Sequence, residues 1–436
     1  MSSPIQPSPV WHPFTQHGLN EPIPRVVRAE GALLHLDDGG TLIDGVSSWW
    51  VTTHGHCHPP IAAAIAAQAA TLDQLIFAGY THDPAETVAR DLVALAPRAP
   101  DRPPLAHVFF SDSGSTAVEV GLKMALGYWH NRALDGHGAA RHRILVLEHG
   151  YHGDTIGAMS VGQRGVYNRA WAPLLFDVGT IPFPAPGRES ACLDTLRAAC
   201  AAADPPAAFI VEPLVLGAGG MLFYPPDVLR EMAAICHRHG VLFIADEVMT
   251  GWGRTGTLFA CEQAGVVPDI LCVAKGITGG AIPLAATLAT PAIFDAHRSA
   301  DRARLFYHSS SYTANAIACA AAAANLAIWR EEDVIGRIAA LAAGMASRLA
   351  GLAARPGFAN PRQLGAIAAI DLITPDAGYL SDVAPRLRAF FLKRGLLLRP
   401  LGNTIYLMPP YCLTDDQLDH VFAVLAQAGE SFAGHA

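Results

Sequence analysis

The chain has 436 residues, of which 51% are hydrophobic and 16% are charged, and its formal net charge is -8. This length exceeds what one hydrophobic core usually serves, and the composition excludes a disordered chain. An acidic balance without a basic tract argues against a nucleic-acid-binding surface. The longest weakly polar run, residues 316–329, is shorter than the roughly 20 residues of a membrane span. We therefore expect a soluble protein with more than one lobe.

The N-terminus and the cysteines favour a cytoplasmic protein. The first ten residues, MSSPIQPSPV, are rich in proline and lack the basic start and apolar core of a secretory signal. The eight cysteines contain no CxxC pair, which suits reduced thiols better than disulfides or a zinc site. We also expect no metal at His54, His56 and His58, because no carboxylate or cysteine completes a ligand set there.

Residues 1–60 are predicted to form an extended arm with short strands, because six prolines precede residue 25. Trp49 and Trp50 lie near the end of this segment. Since adjacent side chains point to different sides, at least one of them could line an apolar ligand pocket. The alternative is that both tryptophans are core residues.

Residues 111–116 have the chemistry of an anion-binding loop. They connect a predicted strand at 107–110 to a predicted helix at 117–129. Gly114 and the hydroxyls of Ser115 and Thr116 therefore fall at a helix N-terminus, where free N–H groups and the helix dipole favour an anion. Ordinary N-capping by the hydroxyl groups is the alternative.

Tyr151 follows another predicted buried strand, at 144–148, within a polar turn. An aromatic ring at the carboxyl end of a strand can stack on a planar cofactor, and its hydroxyl can contact a reacting amine. A tyrosine in a surface loop is the alternative, although loops that follow parallel strands often carry function.

Strands and helices alternate over residues 105–290, which predicts a doubly wound α/β domain. Two short apolar runs in it, 242–245 and 270–274, stop at Asp246 and Lys275. Because parallel strands end at the same edge of a sheet, both side chains should reach the crevice beyond that edge, where ligands of open α/β sheets bind.

Lys275 is one of only three lysines in the chain, together with Lys123 and Lys393. A partly buried amine loses hydration as a cation, so its pKa falls and it becomes a nucleophile for an aldehyde. Pyridoxal phosphate (PLP) needs such a lysine, an acid that keeps its ring nitrogen protonated, and an anion site for its phosphate. Asp246 is the predicted acid. A structural Asp–Lys ion pair is the alternative.

The C-terminal third is predicted to form a smaller α+β lobe that follows a helix ending near residue 332. Residues 306–315, which include Ser309, Ser310 and Ser311, are a dense run of hydrogen-bond donors before that helix and could form a second anion contact. Arg399 interrupts an apolar run and could bind a substrate carboxylate, unless it forms a structural ion pair. The runs 396–400 and 404–408 flank Gly402-Asn403 and are predicted to form a hairpin.

Several of these residues lie in motifs that resemble those of the class III aminotransferases of PLP fold type I. The motifs are WHPFTQ, DGVSSWW, SDSGSTAVEVGLKMA, HGYHGDT, ADEVMTGWGRTG, PDILCVAKGITGG and RPLGNTIYLMPPY. The resemblance covers nearly the whole chain. It implies a large doubly wound mixed-sheet domain at 61–332 and a smaller α+β domain built from residues 1–60 and 333–436.

The resemblance also implies a role for each candidate residue. Lys275 would bind PLP covalently and then move a proton, while Asp246 would pair with the ring nitrogen and Tyr151 would contact cofactor and substrate. Gly114 and Ser115 would bind the phosphate of the cofactor, and Ser310 and Ser311 would bind the phosphate of the cofactor in the partner subunit. Trp49, Ser309 and Arg399 would contact the substrate. Arg254 would support this site.

Within the class, the motifs resemble the branch that aminates 8-amino-7-oxononanoate in biotin synthesis, as a homodimer. The expected amino donor is S-adenosylmethionine. Phe14 stands where many members have tyrosine, which leaves lysine as an alternative donor. An ω-aminotransferase acting on a diamine or ω-amino acid is the nearest competing function. A non-catalytic binding protein of the same fold is a competing function of a different class.

Overall fold

A computed structural model describes residues 8–375 and 377–432. The first seven residues of the predicted arm, Asp376, and the last four residues of the predicted C-terminal domain lie outside this description. The central feature is a seven-stranded sheet with the spatial order His107–Ser111, Ala285–Ala289, Ile270–Val273, Leu242–Asp246, Ala208–Val211, Ile144–Leu147 and Gly179–Ile181. Only Ala285–Ala289 runs antiparallel to its neighbours, so the other six strands end at one edge.

Both faces of this sheet are covered, as continuous apolar runs require. Ile244 belongs to the core beneath the helix Gly114–Leu134, while Phe243 and Ala245 belong to the core beneath the helix Pro226–Arg238. The helices are Ser47–Trp50, Pro59–Ala69, Asp83–Leu95, Gly114–Leu134, Ile156–Ser160, Glu189–Cys200, Pro226–Arg238, Ala260–Ala264, Pro291–His297, Ala316–Glu331, Val334–Ala353, Val383–Leu392 and Asp415–Phe432. Short 3-10 turns lie at His17–Leu19, Arg169–Leu174, Lys275–Thr278 and Arg302–Arg304.

Three smaller sheets complete the fold. One contains Val26–Glu30, Leu33–Leu36, Thr41–Asp44 and Leu396–Leu397, and it joins segments from the two ends of the chain. A second contains Phe358–Leu364, Ile367–Leu372 and Thr404–Leu407, and a third pairs Val215–Leu216 with Leu222–Phe223. Residues near position 45 are thereby held close to residues near position 400.

The predicted hairpin at 396–408 is wrong. Leu396–Leu397 pairs in parallel with Thr41–Asp44, whereas Thr404–Leu407 pairs antiparallel with Ile367–Leu372. A single bridge between Leu401 and Thr404 is what remains of the expected pairing. Each strand finds a longer apolar partner in a different sheet, and this non-local pairing outweighs the local turn signal of Gly402-Asn403.

The helix Val334–Ala353 is long and apolar enough to cross a membrane by length and composition alone. Its side chains Ile338, Leu341, Met345 and Leu349 are buried in the same core as the strand Ile367–Leu372. This buried stripe is the pattern of a core helix in a globular fold.

Glu247 directly follows the strand Leu242–Asp246 and is fully buried. Its carboxylate accepts hydrogen bonds from the N–H groups of Ala260 (2.7 Å) and Cys261 (2.8 Å) and from the hydroxyl of Thr250 (3.0 Å). Burial raises the pKa of Glu247 from 4.5 to about 7. The group therefore titrates at a different pH in the folded and unfolded chain.

We expect Glu247 to make the free energy of unfolding decrease by up to about 3 kcal/mol as the pH rises from about 4.5 to about 7. In this range the folded chain retains a proton that the unfolded chain has released, so rising pH favours unfolding. Urea unfolding at several pH values should show a shallower decrease for Glu247→Gln than for the wild type. Equal slopes would contradict this assignment.

Candidate active site

Asp246 and Lys275 line one cavity of about 420 Å³ at the carboxyl edge of the central sheet. Gly114, Ser115 and Tyr151 line the same cavity. The strands Leu242–Asp246 and Ile270–Val273 are parallel neighbours, so both chemical groups leave the sheet at the same edge. The structure thus brings together five residues that are separated by up to 161 positions in the sequence.

Lys275 begins a tight turn with a φ of 47°, a conformation that costs a non-glycine residue about 1 kcal/mol or more. Its ammonium group is buried and lies 5.2 Å from the ring centroid of Trp50. Burial lowers the pKa of Lys275, against the opposing charge of Asp246. A lower pKa increases the uncharged fraction of the amine, which is the form that acts as a nucleophile.

The buried side chain of Asp246 is held by a histidine. One carboxylate oxygen accepts a hydrogen bond from Nδ1 of His152 at 2.7 Å, and the other accepts one from the N–H of Val248 at 3.1 Å. These two donors fix the orientation of the carboxylate. Sequence reasoning did not select His152, although the HGYHGDT motif contains it.

Glu212 fixes the backbone on which Tyr151 is carried. Its carboxylate accepts hydrogen bonds from the N–H groups of Tyr151 (2.9 Å) and Gly217 (3.0 Å). Burial raises the pKa of Glu212 to about 7, and burial likewise raises the pKa of Tyr151. The tyrosine hydroxyl is therefore a neutral donor or acceptor beside Lys275. The sequence signal for Glu212 was an acid directly after a buried strand.

The helix Gly114–Leu134 presents a free N-terminus to the cavity. Ser113 is the N-cap and exchanges hydrogen bonds with Thr116, so neither Gly114 nor Ser115 supplies the cap. The first N–H groups of a helix have no intrahelical acceptor, and here they face the cavity that contains Lys275. Ordinary capping therefore does not account for Ser115, whose hydroxyl accepts a hydrogen bond from Asp154 N–H at 3.2 Å.

A second chamber of about 420 Å³ shares Trp50, Tyr151 and Lys275 with the first. Its other walls include Phe14, Trp49, Asp154, Tyr167, Tyr379, Arg399 and Tyr406. The rings of Phe14 and Trp49 lie 5.4 Å apart, and Tyr167 contacts Tyr379 at 4.4 Å. The chamber is largely aromatic, and its lining includes two basic residues, Lys275 and Arg399, and one acid, Asp154. Sequence reasoning did not find Tyr167, Tyr379 or Tyr406, which sequence-distant segments contribute.

Arg399 lies over the ring of Trp49 at 4.9 Å and is partly buried, which lowers its pKa. Within residues 8–375 and 377–432 its guanidinium group forms no hydrogen bond and no salt bridge. The structural ion pair considered from the sequence is thus not formed in this part of the chain. A partly buried cation with free donors is suited to receive a carboxylate.

Arg254 is fully buried and holds the segment 47–52, which contains Trp49 and Trp50, through hydrogen bonds. Its guanidinium donates hydrogen bonds to the Ser47 hydroxyl and to the carbonyl groups of Trp50, Thr52 and Pro409, at 2.9–3.3 Å. It therefore joins the ADEVMTGWGRTG motif to both ends of the chain, and it does not line either chamber.

Ser309 and Ser311 are exposed, and neither they nor Ser310 lines the two chambers of this chain. The Ser310 hydroxyl donates a hydrogen bond to Asp112, which lies at the Lys275 cavity. The structure of one chain therefore places these residues outside the chambers but close to the rim of the first.

The residues of the first cavity fit PLP. A buried amine, a carboxylate hydrogen-bonded to His152 and a free helix N-terminus line a single space, and these are the groups that PLP requires. The buried carboxylate can face a protonated ring nitrogen, and the helix N-terminus can face the phosphate. Among the residues the structure describes, no cluster of histidine, cysteine or acidic side chains could hold a metal ion.

Comparison with known proteins decides the family. The profile of the family "Aminotransferase class-III" matches residues 15–428. The chain belongs to the class III aminotransferases. It is a PLP-dependent aminotransferase, so the expectations of an enzyme of this class and of PLP as its cofactor are confirmed.

Curated relatives match over almost the full length. A protein of Synechococcus elongatus named adenosylmethionine-8-amino-7-oxononanoate aminotransferase is 48% identical over 426 residues, covering 96% of this chain and 97% of the relative. A Geobacter sulfurreducens protein of the same name is 37% identical over 448 residues, covering 98% of this chain and 96% of its own. This aminotransferase is therefore similar along its whole length to enzymes of that name.

Solved structures confirm the predicted fold class. The crystal structure of adenosylmethionine-8-amino-7-oxononanoate aminotransferase from Methanocaldococcus jannaschii superposes with a TM-score of 0.91 at 32% identity, covering 97% of both chains. An amine transaminase from an uncultivated Pseudomonas species, solved in its PLP-bound form, gives a TM-score of 0.90 at 34% identity, covering 98% of this chain and 99% of its own.

Proposed function

We propose that this aminotransferase transfers an amino group from S-adenosylmethionine to 8-amino-7-oxononanoate and so forms 7,8-diaminononanoate in biotin biosynthesis. The observation that carries the proposal is the 48% identity, over 96% of this chain, to the Synechococcus elongatus enzyme of that name. The geometry of the two chambers is compatible with this activity.

The proposed chemistry assigns a physical task to each residue of the first cavity. Bound PLP supplies the electron sink for the carbon that loses or gains a proton. Lys275 would hold the cofactor covalently and would carry the proton to and from the reacting carbon. Asp246 would pair with the ring nitrogen, and the N–H groups of Gly114 and Ser115 would hold the phosphate. Tyr151 would contact cofactor and substrate.

The second chamber is proposed to receive both substrates in turn. Its aromatic walls, including Trp49 and Phe14, suit the apolar chain of the oxononanoate. The unpaired guanidinium of Arg399 is proposed to bind a substrate carboxylate, which would leave the distal carbonyl pointing to Lys275. Ser309 of the partner subunit is proposed to complete the substrate contacts.

Arg399→Leu should reduce kcat/KM for the oxononanoate by about tenfold to hundredfold, because a hydrogen bond to a charged group contributes about 1.5–3 kcal/mol. The loss should appear mainly in KM, since the carboxylate is bound equally before and during the reaction. The methyl ester of the same substrate serves as the control. An equal loss with acid and ester would contradict a carboxylate contact.

A homodimer with shared active sites is part of the proposal. Residues 71–82 and 305–315 form one surface, tied by hydrogen bonds from the Gln74 side chain to Ser311 O (2.6 Å) and from Asn315 to Asp73 O (2.9 Å). Its exposed side chains include Ile76, Tyr80, Tyr307 and Tyr312. An aromatic patch of this kind supports contact with a second copy, and Ser310 and Ser311 would then reach the partner's phosphate.

The location proposed for the enzyme is the cytoplasm. All eight cysteines are unpaired, and six of them are buried among other side chains. Reduced, buried thiols are usual in that compartment.

The test is product formation by the purified holoenzyme. The oxononanoate should be converted when S-adenosylmethionine is the donor, and lysine should give little product. Because an amine transaminase shares the fold closely, pyruvate with simple diamines is the necessary comparison. Preference for pyruvate and a diamine would overturn the proposed acceptor, and preference for lysine would overturn the proposed donor.

A further inference from the structure

Asn325 lies in the helix Ala316–Glu331 and is fully buried directly beneath the turn that begins at Lys275. Its side-chain nitrogen donates hydrogen bonds to the carbonyl groups of Gly276 and Ile277, each at 3.0 Å. Gly276 and Ile277 are the two residues that follow Lys275. The amide therefore fixes the backbone on which the reactive amine is carried, in a conformation that Lys275 would not adopt without support.

His54 fixes the orientation of this amide. Because two carbonyl acceptors face one atom of the Asn325 amide, that atom must be the nitrogen, and the remaining atom must be the oxygen. Nε2 of His54 lies 2.9 Å from this oxygen and must carry the proton. Burial lowers the pKa of His54 to about 3, which keeps the ring neutral with a single N–H to donate.

The same segment also holds the far end of the turn. The N–H of Thr53 donates to the carbonyl of Gly279 at 3.2 Å, one residue before His54. Gly276 packs directly on Trp252, where an added Cβ would lie 2.7 Å from the Trp252 side chain. The turn is therefore held at Gly279 by Thr53, at Gly276 by Trp252, and at the carbonyl groups of Gly276 and Ile277 by Asn325.

We propose that Asn325, oriented by His54, is a positioning residue that holds Lys275 in the geometry required for its covalent attachment to the cofactor. The proposal rests on the role of Lys275 proposed above. Neither residue lines the two chambers, so both act only through the backbone of residues 275–277. Displacement of a reacting group by about 1 Å can cost up to about a hundredfold in rate.

The experiment measures how fast apoenzyme forms the covalent lysine linkage when PLP is added, followed by absorbance and by borohydride trapping. Asn325→Leu should slow this rate at least about tenfold and lower kcat similarly, with KM for both substrates nearly unchanged. Asn131→Leu is the matched control, because Asn131 is also buried and donates one hydrogen bond to Arg304 O at 3.4 Å. It should lose thermal stability without any change in the rate of linkage.

If Asn325→Leu does not fold, the variants His54→Gln and His54→Leu test the same proposal through the residue that orients Asn325. Glutamine retains an N–H donor, so His54→Gln should recover most of the linkage rate that His54→Leu loses. Wild-type rates in Asn325→Leu or His54→Leu, or equal losses in the two His54 variants, would overturn the proposal. Lys275→Ala separates the two assignments, because a linkage formed by that variant would refute the role of Lys275 itself.

Discussion

Lys275→Ala is expected to lower kcat by at least about 10⁴-fold, because one side chain both anchors the cofactor and moves the proton. The buried amine has a lowered pKa and leaves the sheet beside Asp246, so no other group in the cavity can replace it. The variant should also lose the yellow colour that borohydride fixes to the chain. Both changes are measured on the same purified protein, by steady-state turnover and by peptide mapping after reduction.

The small number of lysines makes this test sharp. Lys393 is exposed in the C-terminal part of the chain, and Lys393→Ala should retain wild-type turnover and colour. Peptide mapping of the reduced holoenzyme should find the cofactor on Lys275 alone. An adduct on Lys123 or Lys393, or residual turnover within tenfold of the wild type in Lys275→Ala, would refute the assignment.

Asp246→Asn is expected to lower kcat by about 10²- to 10³-fold, the usual effect of removing one preorganised electrostatic contact. The substitution keeps the shape of the side chain and its hydrogen bond with His152, but it removes the carboxylate that is proposed to pair with the ring nitrogen of the cofactor. Cofactor should still attach to Lys275, so colour should persist while turnover falls. Rapid-mixing absorbance and steady-state kinetics separate these two properties.

Asp269→Asn is a matched control for Asp246→Asn. Asp269 is also a buried acid of the central sheet, paired with Arg102 at 2.8 Å, but it precedes the strand Ile270–Val273 and so lies at the opposite edge. Its substitution should lower stability and leave kcat nearly unchanged. Similar losses of kcat in the two variants would show that turnover depends on any buried carboxylate of the sheet, and not on the position of Asp246 at the Lys275 cavity.

Much of the central sheet was predictable because its signal is local. Short apolar runs such as Ile270–Val273 are buried on both faces, and each stops at a polar or charged residue. The strand Leu242–Asp246 was predicted with an end that differs by one residue. Since parallel strands share a carboxyl edge, the convergence of Asp246 and Lys275 followed from the pattern alone.

Contacts that depend on distant segments were not predictable in this way. Arg399 could equally have formed an ion pair, and only the folded chain shows its guanidinium over the ring of Trp49, without a salt bridge to any residue in 8–375 or 377–432. The hairpin at 396–408 was wrong because Leu396–Leu397 found its partner more than 350 residues away, in Thr41–Asp44. His152 and Glu212 looked like ordinary loop and strand-end residues until the fold placed them against Asp246 and Tyr151.

The amino-acid sequence by itself determined much of the strand pattern and the shared sheet edge of Asp246 and Lys275, because both follow from hydrophobic periodicity, and the scarcity of lysine singled out Lys275 as the candidate amine. Only the tertiary structure decided which groups hold those residues in place. Asn325, His54 and His152 act through hydrogen bonds whose partners lie far apart in the chain, and such bonds leave no periodic trace in the sequence.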